Sequence, residues 1–195
     1  MILSILICSL PERKDMLDSL CSELGKQRDV EIHKNRTVNI SPWQMEILVD
    51  NNTFTNIGEK RNNLLQHAKG EWVVFVDDDD LLSPDYLSSI NKALLSTPNP
   101  DCCSMRGIIT FDGINARLFE HSIDYKTYYE KSGIYYRPPN HLNVIRCSIA
   151  KQFKFPEKNF GEDADWAMQI CESGLLKTEA KIDNILYYYK FIQHK

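Results

Sequence analysis

The sequence predicts an α/β fold. Strand-like and helix-like segments alternate along its 195 residues, short apolar runs stand where buried strands belong, and those runs end in polar or charged residues. One domain is expected at this length, large enough to bury about 70% of the surface its unfolded chain exposes.

Residues 2–8, ILSILIC, form a nearly unbroken apolar run that suits a strand buried on both faces, and Ser9-Leu10-Pro11 breaks it. Residues 12–26 then put Met16, Leu17, Leu20, Cys21 and Leu24 on one helical stripe. Residues 28–43 are irregular and polar and read as an inserted loop or edge ribbon. A second strand, MEILV at 45–49, ends in Asp50-Asn51-Asn52. Asn56-Ile57-Gly58 precedes a helix over 59–69, which Lys69-Gly70 closes with a cation and a glycine. The third strand, EWVVFV at 71–76, runs straight into Asp77–Asp80.

Ser83-Pro84-Asp85 marks a helix start, with serine as N-cap and proline at the first helical position; the helix runs to Leu95, where Pro98-Asn99-Pro100 stops the chain. Strand-like runs follow at 102–111 and 142–147, separated by the aromatic stretch DYKTYYEKSGIYYRPPNH. A helix over 162–173 turns Trp166, Ile170 and Cys171 inward, with Trp166 expected in the core, and Ile182–Tyr189 is the last strand.

Hydrophobic content of 43% with 26% charged residues is ordinary for a globular protein, and a net charge of −4 argues against a broad nucleic-acid-binding face. The opening MILSILICSLPERKD meets charge too early for a signal peptide, and no stretch approaches the roughly 20 apolar residues of a membrane span. Six cysteines (8, 21, 102, 103, 147, 171) include no C-x-x-C pair and read as reduced, structural thiols of a cytoplasmic protein.

In open α/β sheets ligands sit beyond the carboxyl ends of the strands. Here those ends carry Ser9–Arg13, Asp50–Asn52 and Asp77–Asp80, which converge on one rim if the strands are parallel neighbours. Four consecutive aspartates repel one another and are costly to desolvate, so the run is either a solvated turn or the seat of a cation. Carboxylates at a strand end suit Mg²⁺ or Mn²⁺, which prefer oxygen ligands and share their shell with substrate phosphates.

GEKRNNLLQHAKGEW, then VVFVDDDDLLSPDYL, then NFGEDADWAM some eighty residues later, resembles the family 2-like, GT-A-type glycosyltransferases. The likeness spans residues 2–190 and rests on an R-N helix, an A-x-G-E stretch, a strand ending in D-x-D-D, and a G-E-D before a helix. It implies a GT-A (Rossmann-like) fold with a mixed, mainly parallel central sheet, residues 1–100 being the nucleotide-sugar half and 101–195 the acceptor half. The implied activity is a metal-dependent, inverting, hexosyltransferase-like transfer from a nucleoside-diphosphate sugar, UDP-sugar favoured, to a hydroxyl.

By that likeness Asp79 is the principal ligand of Mn²⁺ or Mg²⁺, Asp77 touches the ribose or the metal shell, and Asp78 points either way. Asp80 orients the loop ahead of the helix at Ser83. Asp50 and Arg61 match residues near the nucleotide, though a turn aspartate and an ion-paired arginine are the plainer alternatives. Pro11, Glu12 and Arg13 lie where the first loop passes the base. Asp163, with Glu162 beside it, is the base that activates the acceptor, or else the two acids complement a helix dipole. His194 is expected at the diphosphate or metal, and His141 at donor or metal. Tyr125, Tyr128, Tyr129, Tyr135 and Tyr136 form either an acceptor wall or β-structure core.

Relative to that family the chain is short and its 28–43 link long, so the acceptor (saccharide, lipid, protein or modified nucleic acid) does not carry over. Two other functions compete. A sugar-phosphate nucleotidyltransferase needs a glycine-rich basic loop after the first strand, and Ser-Leu-Pro-Glu-Arg-Lys has no glycine. A non-catalytic nucleotide-sugar-binding module needs only the donor cleft.

Overall fold

The computed structural model describes residues 2–37 and 44–191. In chain order its first elements are β1 (Ile2–Cys8), a 3₁₀ turn (Pro11–Arg13), α1 (Lys14–Thr37), β2 (Gln44–Asp50), α2 (Ile57–His67) and β3 (Trp72–Phe75). Next come β4 (Leu81–Leu82), α3 (Tyr86–Ser96), β5 (Cys102–Cys103), β6 (Met105–Phe111), β7 (Ile114–His121), β8 (Tyr129–Lys131) and β9 (Ile134–Arg137). β10 (Ile145–Arg146), α4 (Cys147–Ala150), α5 (Glu162–Ser173), β11 (Glu179–Ala180) and β12 (Tyr187–Phe191) complete the described elements.

The central sheet has the order β11-β5-β10-β3-β1-β2 and is mixed. β1 lies between parallel neighbours β2 and β3, while β10 runs antiparallel to β3 and β5. Side chains alternate across β1 with the strand period of two. Leu3, Ile5 and Ile7 enter one core with Leu20 and Leu24 of α1 and Leu87, Ile90 and Leu94 of α3. Leu6 and Cys8 enter the other, with Leu64 and Leu65 of α2 and Trp166 and Ile170 of α5. Helices therefore cover both faces. Trp166 is in the core as expected, stacked on Phe155 at 4.5 Å.

The parallel register aligns the strand ends. Cys8 lies opposite Asp50, and Leu6 opposite Phe75. Beyond the strands Ser9 N donates to Asp50 O at 2.9 Å, and Val76 N to Leu6 O at 3.1 Å. The chains leaving β1, β2 and β3 thus emerge on one rim.

Several boundaries differ from expectation. Residues 28–37 continue α1 instead of forming a loop; the remaining 38–43 of that stretch lie outside the described residues. The polar side chains that read as exposed have buried work on α3. Gln27 donates to Ser83 O at 2.9 Å and accepts from Leu87 N at 3.0 Å, and Glu31 accepts from Asn91. Gln27 thereby serves an amide of the first turn of α3, a group that any helix leaves without an internal partner. Ser83 is not the N-cap: α3 begins at Tyr86, with Asp85 in the capping position and no side-chain capping bond. Met16 leaves the apolar stripe of α1 and is exposed. α2 ends at His67, two residues early, and starts at Ile57 behind a capping box of Asn56 and Glu59. The 102–111 run is split at Ser104, and 142–147 shortens to β10 before α4.

A second six-stranded sheet, β4-β12-β6-β7-β9-β8, was not expected. Its hairpins turn at Asp112-Gly113 and Ser132-Gly133, all four residues having positive φ, which is what tight two-residue hairpins require. Across α2, a Cβ on Gly58 would sit 1.9 Å from Pro156 O, so only glycine lets this helix rest on the segment that leads into α5. Gly58 N also donates to Lys158 O, and Ile57 N to Asn159 Oδ1. Among the described residues no helix is long and apolar enough to cross a membrane.

Candidate functional site

The four aspartates at the end of β3 have four different environments. Asp78 is buried and tied to the chain leaving β1: Ser9 Oγ donates to it at 2.6 Å and Arg13 Nη1 lies 3.0 Å from its Oδ1. The same Arg13 nitrogen is 3.0 Å from Asp79 Oδ2. Lys60 of α2, itself buried, donates to Ser9 O at 2.7 Å and holds that loop from the other side.

Asp77 faces the opposite way. Its Oδ1 is 3.2 Å from Arg61 Nη2 and its Oδ2 is 3.4 Å from His141 Nε2. Arg61, with a side chain only 5% exposed, also reaches Glu162 Oε1 through Nε at 3.1 Å. It lies over the rings of Phe75 and Phe155, 5.2 and 5.8 Å from their centres. His141 Nδ1 is 3.3 Å from Asp163 Oδ2, in ion-pair range though not aligned as a hydrogen bond. A continuous chain of charge therefore runs from Glu162 through Arg61, Asp77 and His141 to Asp163. It joins the aspartate run to the first turn of α5, 86 positions later in sequence.

Burial by itself would push the Asp77 and Asp163 carboxyls upward. For Asp77 the Arg61 guanidinium and the His141 ring outweigh it, and for Asp163 the His141 ring and Arg61 do, so both acids lie well below the usual carboxylate range. Burial and Arg61 would lower His141, but the two flanking carboxylates win and raise it. The resulting stability has a definite sign. The acids' contribution is present above about pH 4 and lost as pH falls through their depressed values. That of His141 is complete below about pH 6.5 and fades as pH rises through its raised value. In an NMR titration the His141 ring should therefore protonate with a midpoint above 6.5, and the midpoint should fall in Asp163→Asn. A midpoint that stays put would show that Asp163 does not act on the ring.

Asp79 and Asp80 shift the other way. Asp79, with 31% of its side chain exposed, is raised by burial against the partial relief from Arg13, with Asp77 and Asp78 adding to the rise. Asp80 is buried and pushed up to about 8 by desolvation and the Asp77 charge. Its Oδ1 accepts from Lys190 N at 2.8 Å in β12, so it anchors to the second sheet and not to the helix start at Ser83. Tyr187 of the same strand accepts from Asp77 N at 3.1 Å.

No three His, Cys, Asp or Glu side chains among the described residues converge as a ready-made metal cage. A cation that shares its shell with phosphates needs only one or two carboxylates, however. Asp79 fits that role: it is the most exposed acid of the run, in a field of neighbouring negative charge that Arg13 relieves only in part and that favours either a proton or a cation. Asp77 is already engaged by Arg61 and His141.

The other anticipated residues spread around the rim. Asp50 accepts from Asn52 N at 3.0 Å and from Asn63 Nδ2 at 2.8 Å, so it closes its own turn and braces α2. Pro11 and Glu12 are exposed in the 3₁₀ turn, with Arg13 as its inward residue. His194 lies outside the described residues. Three of the tyrosines, 125, 129 and 136, pack on one another, with Tyr129 stacked on Tyr136 at 4.9 Å. Sequence reasoning placed Ser9 at the rim without a role and missed Lys60 and Tyr187. Ser9 and Lys60 carry a usable signal, since each adjoins a motif already singled out at this rim. Tyr187 carries none, because its role depends on a long-range strand pairing.

Comparison with known proteins places this geometry. The family model described as Glycosyl transferase family 2 matches residues 26–157. Among solved structures the chain is similar to TarS residues 1–349 from S. aureus, at 17% identity and a TM-score of 0.60, covering 97% of this chain and 60% of that one. The same protein in complex with UDP-GlcNAc matches at 16% identity and a TM-score of 0.60, over 100% of this chain and 60% of the other. Its complex with UDP matches at 18% and 0.59, over 97% and 60%. The chain thus spans about 60% of the solved chains it matches. The likeness shows the GT-A fold. No curated protein matches the sequence.

Proposed function

The chain belongs to glycosyl transferase family 2, and from that premise we propose that it is a metal-dependent, inverting glycosyltransferase using a nucleoside-diphosphate sugar, UDP-sugar favoured. One observation carries the reading: His141 bridges Asp77 of the aspartate run to Asp163 of α5, so donor-side and acceptor-side acids share one rim. Residues 1–100 supply the donor half and 101–195 the acceptor half.

Asp79 would hold Mn²⁺ or Mg²⁺, which when bound neutralises charge on the departing diphosphate. Asp77, fixed by Arg61 and His141, presents its backbone and carboxylate edge to the ribose or the outer shell of the cation. Arg13 lies beside Asp78 and Asp79 where the diphosphate and base approach. Asp163 is ionised at neutral pH and accepts the proton of the acceptor hydroxyl as it attacks the anomeric carbon from the face opposite the leaving group. Arg61 and Glu162 act behind these groups as positioning residues.

The test is a thermal-shift comparison of UDP and GDP, each with and without Mn²⁺. At about 100 times the dissociation constant a ligand specific to the folded state adds about 2.7 kcal/mol. UDP with Mn²⁺ should raise the midpoint by several degrees, and the increment due to the metal should vanish in Asp79→Ala. A metal increment that survives in Asp79→Ala removes that residue from the cation, and no shift with any nucleotide sinks the transferase reading.

A further inference from the structure

The acceptor half holds a cation that no carboxylate among the described residues pairs with. Every other arginine whose side chain is described pairs with a carboxylate. Arg137, the last residue of β9, has no ion pair and no side-chain hydrogen bond among the described residues. Its guanidinium lies over two aromatic rings, 5.6 Å from the centre of Tyr128 and 5.8 Å from that of Tyr135. Stacking of this kind steadies the plane of the group without using its N–H edge, and that edge matches the two oxygens of a phosphate or carboxylate.

The surroundings add a second unmet donor. The Tyr128 hydroxyl is buried and makes no well-aligned hydrogen bond among the described residues, the Asn140 side chain being a polar neighbour. Buried donors of this kind are rare in native structures and call for an explanation. Tyr128 is also close to the proposed base: burial and then the Asp163 charge push its hydroxyl up to about 12. Only four positions separate Arg137 from His141, whose ring reaches Asp163, so their Cα atoms are within about 14 Å of each other. Arg137 ends β9 and Tyr128 immediately precedes β8, so both sit at the part of the second sheet whose chain leads on to His141 and its contact with Asp163, whereas Asp77–Asp79 follow β3 in the central sheet.

We propose that Arg137 and the Tyr128 hydroxyl bind an anionic group, phosphate or carboxylate, carried by the acceptor next to the hydroxyl that attacks. The inference rests on the transferase reading above and adds a substrate class to it: the acceptor is negatively charged. The donor's diphosphate has the same chemistry, so the experiment must separate the two sources.

Inorganic phosphate is the probe, titrated calorimetrically into protein saturated with UDP and Mg²⁺. Wild type should bind it, Arg137→Gln should bind it about tenfold or more weakly, and UDP affinity should be the same in both. Arg137→Lys, which keeps a point charge but loses the fork, should fall between them. Phosphate that binds wild type and both variants equally, or does not bind wild type, overturns the site. A parallel loss of UDP affinity assigns the arginine to the donor diphosphate and overturns the acceptor assignment. If UDP binds no form of the protein, the transferase reading fails separately, and the phosphate titration without UDP still decides whether Arg137 holds an anion. Should Arg137→Gln show no cooperative thermal transition, Arg137→Lys makes the decision.

Discussion

Asp163→Asn should slow sugar transfer by about 10²–10⁴-fold, the range lost when a positioned general base is removed. Asparagine keeps the shape of the side chain in the first turn of α5 but cannot take up the acceptor's proton. UDP binding should be nearly unchanged, because the contact between Asp163 and Asp77 runs through His141. The loss belongs in kcat, with the donor KM little altered. The carboxyl is held below the usual range, so it stays ionised throughout the neutral region and gives wild type no acid limb near pH 6. A variant as fast as wild type would pass the role of base to another group, Asp165 being the exposed acid of the same turn while Glu162 is buried against Arg61.

Arg61→Leu should lower stability by about 3–5 kcal/mol, the range for breaking a buried ion pair and stranding its partner. The arginine is almost fully buried between Asp77 and Glu162, and its loss leaves Glu162 buried without its cation. For a chain of this size each kcal/mol moves the thermal midpoint by about 2–4 °C, so a fall of roughly 6–20 °C is expected. Adding Glu162→Gln should restore part of it, because the stranded charge is then gone. A fall no larger than that of Arg28→Leu, on the exposed face of α1, would mean that the network contributes little to folding.

The parallel trio of strands and the helices around it were legible in the sequence because their signals are local. An apolar run ending in acids, a capping residue and a helical stripe each lie within a dozen residues. The rim assignment of Asp77–Asp80 followed from the same signals. Residues 28–37 misled because a polar group such as Glu31 looks solvent-facing, and only packing on α3 reveals it as the partner of Asn91. The second sheet was overlooked although Asp112-Gly113 and Ser132-Gly133 are hairpin signals, since β7 opens with four exposed residues and β8 has only three, all exposed, so neither presents an apolar run. His141 was expected at donor or metal, and its bridge between two acids was not foreseen because those carboxylates come from positions 77 and 163, which no spacing rule links.

The hydrogen bonds from Lys190 N to Asp80 and from Asp77 N to Tyr187 have a consequence for biosynthesis. Each closes a loop of 110 residues around the aspartate run. At about 5–20 residues per second, a ribosome takes some seconds to deliver β12 after Asp77–Asp80 have been made. Until then the four acids repel one another without the strand that fixes their loop. Nucleotide capture by the nascent chain should therefore begin only when β12 has emerged, and stalled chains ending before Tyr187 should fail to be retained on immobilised UDP.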